Sequence, residues 1–262
     1  MSAADQSLLL RHDQDGICTL TLNRPQARNA LSVGLMAAVQ GALDAVREDR
    51  AVKVVVLAAN GPAFCAGHDL KEIRANPGFD SCAALFRQCA GLMTSIVRLP
   101  QPVIAKVHAM ATAAGCQLVA SCDLAIAAAD ARFATPGVNI GLFCSTPMVA
   151  LTRVVGRKQA MEMLLTGRPI TADEAEAVGL INRAVPADEL HGTVMELATL
   201  IAGKSPYTVK VGKEAFYRQL EMGLDEAYAY ASEVMTRNML AQDAAEGIDA
   251  FLEKRAPSWC GH

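Results

Sequence analysis

Short apolar runs rich in β-branched residues recur along the chain and constrain its fold more than any other feature. The runs at 53–58 (KVVVLA) and 103–107 (VIAKV) are typical of strands buried on both faces of a parallel sheet. A similar run covers 123–128, and each run is followed by a segment with helical spacing of its apolar residues. This alternation predicts an α/β protein built from repeated β-β-α units.

Caps, breakers and apolar spacing predict the other elements. Residues 7–23 indicate a β-hairpin with its turn at 12–16. Ser32 is expected to cap a helix that runs to about Arg47. The other predicted elements are helices at 81–99, 113–121, 146–155 and 158–165 and strands at 132–134 and 180–185.

Only helical patterns follow residue 188, which divides the chain into two regions. We expect an α/β core at 1–195 and a helical C-terminal region at 196–262. The helices of the second region have apolar residues on several faces and must therefore pack against something. They either fold back on the core or make subunit contacts, and we adopt the second interpretation.

The charge balance argues against nucleic acid as the main partner. The chain has 24 basic and 27 acidic residues, a net charge of -3, whereas phosphate binding needs a basic surface. No apolar run approaches the ~20 residues of a transmembrane helix, so no membrane contact is expected. The N-terminus has the pattern of neither a signal peptide nor an Arg-rich leader, which predicts a soluble, cytoplasmic protein.

The eight cysteines and five histidines do not have the spacing of a metal site. The cysteines include no C-x-x-C pair, and most stand among small apolar residues, where a free thiol packs like a hydrophobic side chain. Nucleotide-binding glycine motifs and the G-x-S-x-G motif of serine hydrolases are also absent from the sequence. We therefore predict no metal and no bound dinucleotide.

Two glycine-containing turns, at 64–72 and 111–118, each open a helix directly after a buried strand. The first N–H groups of a helix have no intrahelical acceptor and carry the positive end of its dipole. Two such turns facing each other could bind one thioester carbonyl oxygen, which is the geometry of an oxyanion hole. Alternatively, both are ordinary strand-to-helix connections, with Asp69 and Glu72 forming a variant capping box.

At these turns the sequence resembles the crotonase superfamily, the enoyl-CoA hydratase/isomerase proteins. The run at 133–147 is most similar to the subgroup called enoyl-CoA hydratase domain-containing protein 3. The resemblance implies a crotonase-like ββα spiral core and a C-terminal α-helical region that forms homotrimers or dimers of trimers. The matching segments, in family order, are 22–25, 29–31, 64–70, 102–107, 114–118, 122–124, 131–133, 160–167, 175–180 and 247–255.

The resemblance also implies site residues by position. The backbone N–H groups of His68 and Ala114 would form the oxyanion hole, and Ala114, where the family usually has Gly, can donate provided that its φ is not positive. Lys71 and Arg28 are candidates to bind CoA phosphates, and the alternative for each is a solvated surface charge. The expected substrate-binding residues are Arg28, Ala66, His68, Asp69, Leu70, Lys71 and Ala114.

The chain departs from the family at both positions where the hydratases carry a catalytic Glu. Gln117 and Gly137 stand there instead. Gln has the shape of Glu but no titratable proton, so it can orient water but cannot act as a general base. General acid–base catalysis is typically worth ~10² to 10⁴-fold per group, so we expect poor hydration by the usual route.

Other residues are weaker candidates for these lost roles. Asp69 is the nearest carboxylate in sequence, but a helix cap explains it as well. Residues 144–146 (Cys-Ser-Thr) could present a thiol or a hydroxyl, although a nucleophile would need an adjacent base. His108 is interpreted as a strand-end histidine and Cys116 as core packing.

We predict an acyl-CoA-binding enzyme of the lyase or isomerase class, in fatty acid metabolism, with weak or altered activity. The CoA thioester would be its substrate, and no cofactor would be permanently bound. The alternative is a non-catalytic acyl-CoA-binding or assembly protein. The sequence does not specify the acyl chain or the reaction.

Overall fold

The computed structural model describes residues 7–262, so the first six residues of the predicted core region lie outside the description. The described strands are β1 Leu9–Gln14, β2 Ile17–Leu22, β3 Val54–Ala59, β4 Ala63–Cys65, β5 Val103–Val107, β6 Met110–Thr112, β7 Leu124–Ala128, β8 Arg132–Ala134, β9 Ile170–Thr171 and β10 Arg183–Val185. The described α-helices are α1 Val33–Glu48, α2 Leu70–Ala75, α3 Phe79–Val97, α4 Ala114–Ser121, α5 Ser145–Val154, α6 Arg157–Thr166, α7 Ala172–Ala177, α8 Leu190–Ala202, α9 Pro206–Gln219, α10 Leu224–Met239 and α11 Gln242–Glu253.

The strands form two sheets, and the predicted α/β architecture is confirmed. The larger sheet has the order β1-β2-β3-β5-β7-β10 and is parallel except for the β1–β2 hairpin. The smaller sheet has the order β4-β6-β8-β9, with β4, β6 and β8 parallel to one another. Three successive passes, β3–β4, β5–β6 and β7–β8, therefore each contribute one strand to each sheet before a helix, which is the repeated β-β-α unit.

Alternate residues of the larger sheet face two different cores. Val55 and Leu57 of β3 pack in the main core with α1 and α3, whereas Val54 and Val56 pack under α8. Because both faces are covered, the strand is apolar at every position, as the sequence predicted. The predicted region boundary at residue 195 falls inside α8, whose buried residues from Leu190 to Ala202 pack on this face of the sheet.

Two sequence predictions of local structure need correction, and three short strands were not predicted. The hairpin turn is only Asp15-Gly16, since residues 12–14 belong to β1; both turn residues have positive φ, 51° and 79°, which suits a two-residue hairpin. The strand predicted at 180–185 begins only at Arg183. Strands β4, β6 and β9 have three residues or fewer, too short for apolar periodicity to reveal them.

A buried ion pair joins the C-terminal helices to the sheet. Lys213 of α9 lies 2.7 Å from Asp123, and the Tyr217 hydroxyl donates to the other carboxylate oxygen at 2.9 Å. Asp123 also accepts the Val103 N–H at 2.6 Å, at the start of β5.

The remaining faces of the C-terminal helices expose large apolar side chains, among them Phe216, Leu220, Leu224, Tyr228, Met235, Leu240, Phe251 and Leu252. None of the helices in the described part of the chain combines the length and apolar character needed to cross a bilayer.

Candidate functional site

Three loops meet at the carboxyl edge of the smaller sheet. Strand β4 leads into Ala66-Gly67-His68, β6 into Ala113-Ala114 and β8 into Thr135-Pro136-Gly137. The three strands are adjacent and parallel, so their carboxyl ends lie at the same edge, about 4.8 Å from one strand to the next. The carboxyl edge of parallel strands is also the usual position of ligand sites in α/β folds.

The first two of these loops are in direct contact, and two glycines make the contact close. A Cβ atom at Gly115 would lie 2.1 Å from the Cys65 carbonyl oxygen, so only glycine fits there. Gly67 has a φ of +90°, and a Cβ there would lie 2.9 Å from Cβ of Ala113. The two glycine-containing turns therefore lie against each other rather than serving as separate connections.

The N–H groups of His68 and Ala114 lie in these two turns. His68 forms a parallel bridge with Leu31, in which Leu31 donates to the Gly67 carbonyl at 2.7 Å and accepts from Asp69 at 3.2 Å. Because Leu31 bonds to the two neighbours of His68, the His68 N–H points away from Leu31. Within residues 7–262 neither the His68 N–H nor the Ala114 N–H donates a hydrogen bond to the protein.

The positive φ lies at Ala113, one residue before Ala114, for which the sequence analysis required a φ that is not positive. Ala114 is helical, so the condition on its φ is met, but Ala113 has φ 50° and ψ −117°. This conformation suits glycine, and in an alanine it costs of the order of 1–3 kcal/mol. The Ala113 N–H donates to the Ala134 carbonyl at 2.9 Å, which helps to hold the strained turn beside β8.

The His68 side chain is half-buried. Its ring packs edge-on against Phe86 of α3, with 5.4 Å between centroids and an interplanar angle of 88°. Burial lowers the pKa of the imidazole below its ordinary value. The Nε2 atom is buried and makes no hydrogen bond with any residue from 7 to 262.

Gln117 lies one helical turn after Ala114 and is 5% exposed. Its Oε1 atom faces the Cys89 thiol of α3 at 3.9 Å, a weak contact. The amide Nε2 makes no hydrogen bond within the described chain. Gln117 therefore borders the same turn of α3 as His68, since Phe86 and Cys89 are three residues apart.

Gly137, the second position where the expected glutamate is missing, is enclosed by residues 142–144. A Cβ at Gly137 would lie 2.8 Å from the Leu142 carbonyl oxygen and 3.0 Å from Sγ of Cys144. The Cys144 thiol is buried, and burial raises its pKa above the ordinary value. A side chain at residue 137 would therefore collide with residues 142–144, so this chain has no room for a glutamate there.

Arg28 and Lys71 are exposed cations beside the first turn. The Arg28 carbonyl accepts the Ala66 N–H at 3.0 Å, which puts the Arg28 loop alongside the segment that carries Lys71. Neither side chain makes an ion pair or hydrogen bond among residues 7–262. Buried Asn29, which the sequence analysis missed, fixes this loop by donating to the Asn60 and Ala63 carbonyls at 2.7 and 2.8 Å.

Asp69 has a structural role. Its carboxylate caps α2 by accepting the Lys71 and Glu72 N–H groups and pairs with Arg24 at 3.0 Å. Burial opposes its ionisation, but these partners keep its pKa below the ordinary value. The variant capping box is wrong, because the Glu72 carboxylate accepts the Val33 N–H at 2.9 Å instead.

The other candidates do not form a nucleophile–base pair among the described residues. His108 Nε2 is 2.8 Å from the Gly61 carbonyl oxygen, at a strand end. Cys116 is buried, which raises its pKa to about 12 and leaves it a packing residue. The Ser145 hydroxyl points to the Phe143 carbonyl at 3.4 Å, and no cluster suitable for a metal occurs within residues 7–262.

Comparison with known proteins shows the class to which this fold and site belong. Residues 12–262 match the family model described as "Enoyl-CoA hydratase/isomerase", and the chain belongs to that family. It is 46% identical over 258 residues to the mouse protein named "Enoyl-CoA hydratase domain-containing protein 3, mitochondrial", covering 98% of this chain and 86% of the relative. The subgroup indicated by residues 133–147 is thus confirmed.

Solved structures of related proteins support the same family assignment. A crystal structure of an enoyl-CoA hydratase from Mycobacterium smegmatis is 54% identical, with a TM-score of 0.95 over 97% of this chain and 99% of that one. The crystal structure of human enoyl Coenzyme A hydratase domain-containing protein 3 is 46% identical, with a TM-score of 0.94 over 97% of this chain and 100% of that one.

The predicted cytoplasmic location is contradicted by the same comparison. The names of the mouse, rat, frog and human relatives all include the word mitochondrial. The prediction relied on the composition of the N-terminal residues, and such composition does not specify one compartment.

Proposed function

We propose that the chain binds an acyl-CoA and polarises its thioester carbonyl between the His68 and Ala114 N–H groups. The main support is the direct contact of the two turns, which brings two N–H groups that have no acceptor among residues 7–262 to one edge of the smaller sheet. Two preformed donors stabilise negative charge as it develops on the carbonyl oxygen. The reactions favoured by this arrangement pass through an enolate or a related anion.

Classical hydration is disfavoured in this proposal. Gln117 cannot exchange a proton, and residue 137 is a glycine closed in by Leu142 and Cys144. Each missing acid–base group is typically worth ~10² to 10⁴-fold in rate. The chain would therefore act on thioesters through carbonyl polarisation, with altered or weak activity compared with a two-carboxylate hydratase.

The CoA end of the ligand is assigned to Arg28 and Lys71. Both are exposed, lack acidic partners in the described chain and flank the first turn. Two local cations are enough to bind phosphates even though the net charge is -3. We expect the CoA thioester to be the substrate, without a resident cofactor.

A second candidate function is a non-catalytic acyl-CoA binder. It is favoured by the simultaneous loss of both carboxylates while the two turns keep their contact. Calorimetry with acyl-CoAs, followed by turnover assays with enoyl-, dienoyl-, malonyl- and 3-oxoacyl-CoA, separates the two functions. Tight binding with turnover of any thioester supports the enzyme, tight binding without turnover supports the binder, and absence of binding refutes both.

We also propose that the chain self-associates as a trimer or a dimer of trimers. The C-terminal helices expose Leu224, Tyr228, Leu240 and Phe251, each at least 69% accessible to solvent in the single chain. An exposed apolar surface of this kind marks a protein interface. Light scattering coupled to gel filtration tests this proposal, and a monomer at micromolar concentration would contradict it.

A further inference from the structure

The ends of helices α8, α9 and α11 meet near the carboxylate of Asp243. Asp243 lies in the first turn of α11 and is 1% exposed. Its carboxylate accepts a hydrogen bond from the Ser205 hydroxyl, and the same hydroxyl oxygen caps α9 by accepting the Thr208 N–H at 3.1 Å. Residues 203–205 are the whole connection between α8 and α9. The contact between Ser205 and Asp243 therefore fixes this connection to the start of α11.

Residues 255–262, which we call the strap, supply further donors to the same carboxylate. The Cys260 N–H and the Gly261 N–H donate to Oδ1 of Asp243 at 2.7 and 3.1 Å. Successive backbone N–H groups are a common way of binding an anion. Gly261 has a φ of +82°, a conformation that favours glycine. The Asp243 N–H donates in turn to the His262 carbonyl at 3.0 Å, so the strap and the first turn of α11 bind each other reciprocally.

The strap also contacts the end of α8 and the middle of α11. The Trp259 indole N–H donates to the Gly203 carbonyl at 2.9 Å, directly after α8. The indole ring lies on Gly247, where a Cβ would come within 3.2 Å of a ring carbon. Arg255 makes a two-point ion pair with Glu246, with N–O distances of 2.6 and 2.9 Å. The strap thus joins the end of α8 to α11.

The helical hairpin that follows this connection, α9 with α10, has little packing of its own in the single chain. No residue from 206 to 241 is buried. Hydrogen bonds from Lys213 and Tyr217 to Asp123 attach the hairpin to the sheet. Helices of this length, 14 and 16 residues, owe most of their stability to tertiary packing. The hairpin therefore depends on its polar attachments, which are the Asp123 cluster and the junction at Asp243.

Loss of the strap would leave the Asp243 carboxylate short of donors. Without Cys260 and Gly261, the Ser205 hydroxyl would be its only remaining donor in the described chain. A buried carboxylate that loses its partners is strongly destabilised. Water can replace those donors only where the carboxylate becomes exposed. Release of the strap is therefore coupled to opening of the contact between Ser205 and Asp243.

We propose that the strap locks the 203–205 connection, which acts as a hinge, and that its release frees the α9–α10 hairpin as one unit while the α/β core stays folded. The hairpin carries the exposed side chains of Leu224 and Tyr228. Locking the hinge holds this apolar surface in one orientation, which links the strap to self-association. That link rests on the proposed self-association, whereas the lock itself does not.

Hydrogen–deuterium exchange of the full chain, measured by mass spectrometry, tests the lock. Trp259→Ala removes the indole from Gly203 and Gly247 and is expected to speed exchange of the α9 and α10 amides at least about tenfold. Amides of β3 and β5 are expected to keep their wild-type rates. Ser258→Ala is the matched control, because Ser258 donates to Glu246 through its backbone N–H, which the substitution keeps. This control is expected to exchange as the wild type does.

Self-association would also protect the hairpin, so the comparison is repeated in a Leu224→Arg background. Leu224 is 74% exposed, and this substitution should disrupt an apolar interface without altering the strap. In that background Trp259→Ala is still expected to accelerate exchange in α9 and α10. With Leu224 intact, light scattering is expected to show that Trp259→Ala shifts the assembly towards smaller species.

Two results would overturn the lock. Wild-type exchange rates in α9 and α10 of Trp259→Ala, whether or not residues 255–262 exchange faster, would show that the hairpin is held independently of the strap. Equal acceleration in β3, β5 and the hairpin, in a variant with native circular dichroism, would show that core and hairpin open together. A monomeric wild-type chain would refute the proposed self-association instead, and the exchange rates would still decide the lock.

Discussion

Replacing Gly115 by alanine should separate the two turns. The new Cβ would lie 2.1 Å from the Cys65 carbonyl oxygen and 2.8 Å from its carbonyl carbon, both backbone atoms that cannot rotate away. Restoring an ordinary contact requires a movement of about 1.3 Å between the turns that carry the His68 and Ala114 N–H groups. A displacement of this size at a reacting centre can cost ~10²-fold in function.

Thermal unfolding and calorimetry measure the two consequences. Overpacking by one methyl group costs about 1–3 kcal/mol, and in a chain of this size each kcal/mol lowers Tm by about 2–4 °C. We expect Gly115→Ala to lower Tm by about 2–12 °C and to weaken acyl-CoA binding at least tenfold.

The matched control is Gly91→Ala in α3. A Cβ there meets no atom within 4 Å, so the change should raise helix stability by about 0.5–1 kcal/mol and leave acyl-CoA affinity unchanged. A folded Gly115→Ala variant with wild-type affinity would refute the argument that contact between the turns creates the binding site.

Three further predictions concern the ligand, the reaction and the tail. The double variant Arg28→Gln, Lys71→Gln should weaken acyl-CoA binding by up to about fivefold per residue. The double variant and the wild type should bind a pantetheine thioester that lacks phosphates with equal affinity. Calorimetric titration of both proteins with both ligands measures these affinities. Gln117→Glu should raise the rate of crotonyl-CoA hydration at least about tenfold. Adding Gly137→Glu should remove that gain or lower Tm, because the new side chain meets Leu142 and Cys144. A further gain in rate from the double variant would contradict the claim that residues 142–144 leave no room for a side chain at position 137. Burial opposes ionisation of Asp243, but hydrogen bonds from Ser205, Cys260 and Gly261 keep its pKa in the folded protein below the ordinary value. The ionised carboxylate therefore stabilises the fold above the pKa that Asp243 has in the unfolded chain, and this contribution is lost as the pH falls through the lower pKa of the folded protein. Asp243→Asn should lower Tm at neutral pH and make Tm less dependent on acid pH.

The sequence predicts well those elements whose residues have one strong local preference. Continuous β-branched runs identified β3 and β5, and Ser32 caps α1 by accepting the Leu35 N–H, as expected. The family and its subgroup were also accessible, since ten short segments retain their order and spacing. The two glycine-containing turns were recognised as a pair because both open helices after buried strands.

Features that depend on contacts between distant segments could not be predicted. Strands β4 and β6 are too short to show periodicity, although their loops create the site. The closure of Gly137 by residues 142–144 and the pairing of Asp123 with Lys213, 90 residues apart, arise only from the tertiary fold. The positive φ at Ala113 rather than at Ala114 was equally invisible, because the turn is held by contacts between distant segments, among them the hydrogen bond from Ala113 to Ala134.

The central claim is that the His68 and Ala114 N–H groups polarise a bound thioester carbonyl. Isotope-edited infrared spectroscopy of an acyl-CoA labelled with ¹³C at the thioester carbonyl measures that polarisation directly. The account predicts that the carbonyl stretch of the bound ligand lies at lower frequency than in water, and that Gly115→Ala reduces the shift. A ligand bound at saturation with the carbonyl frequency of the free thioester would contradict it.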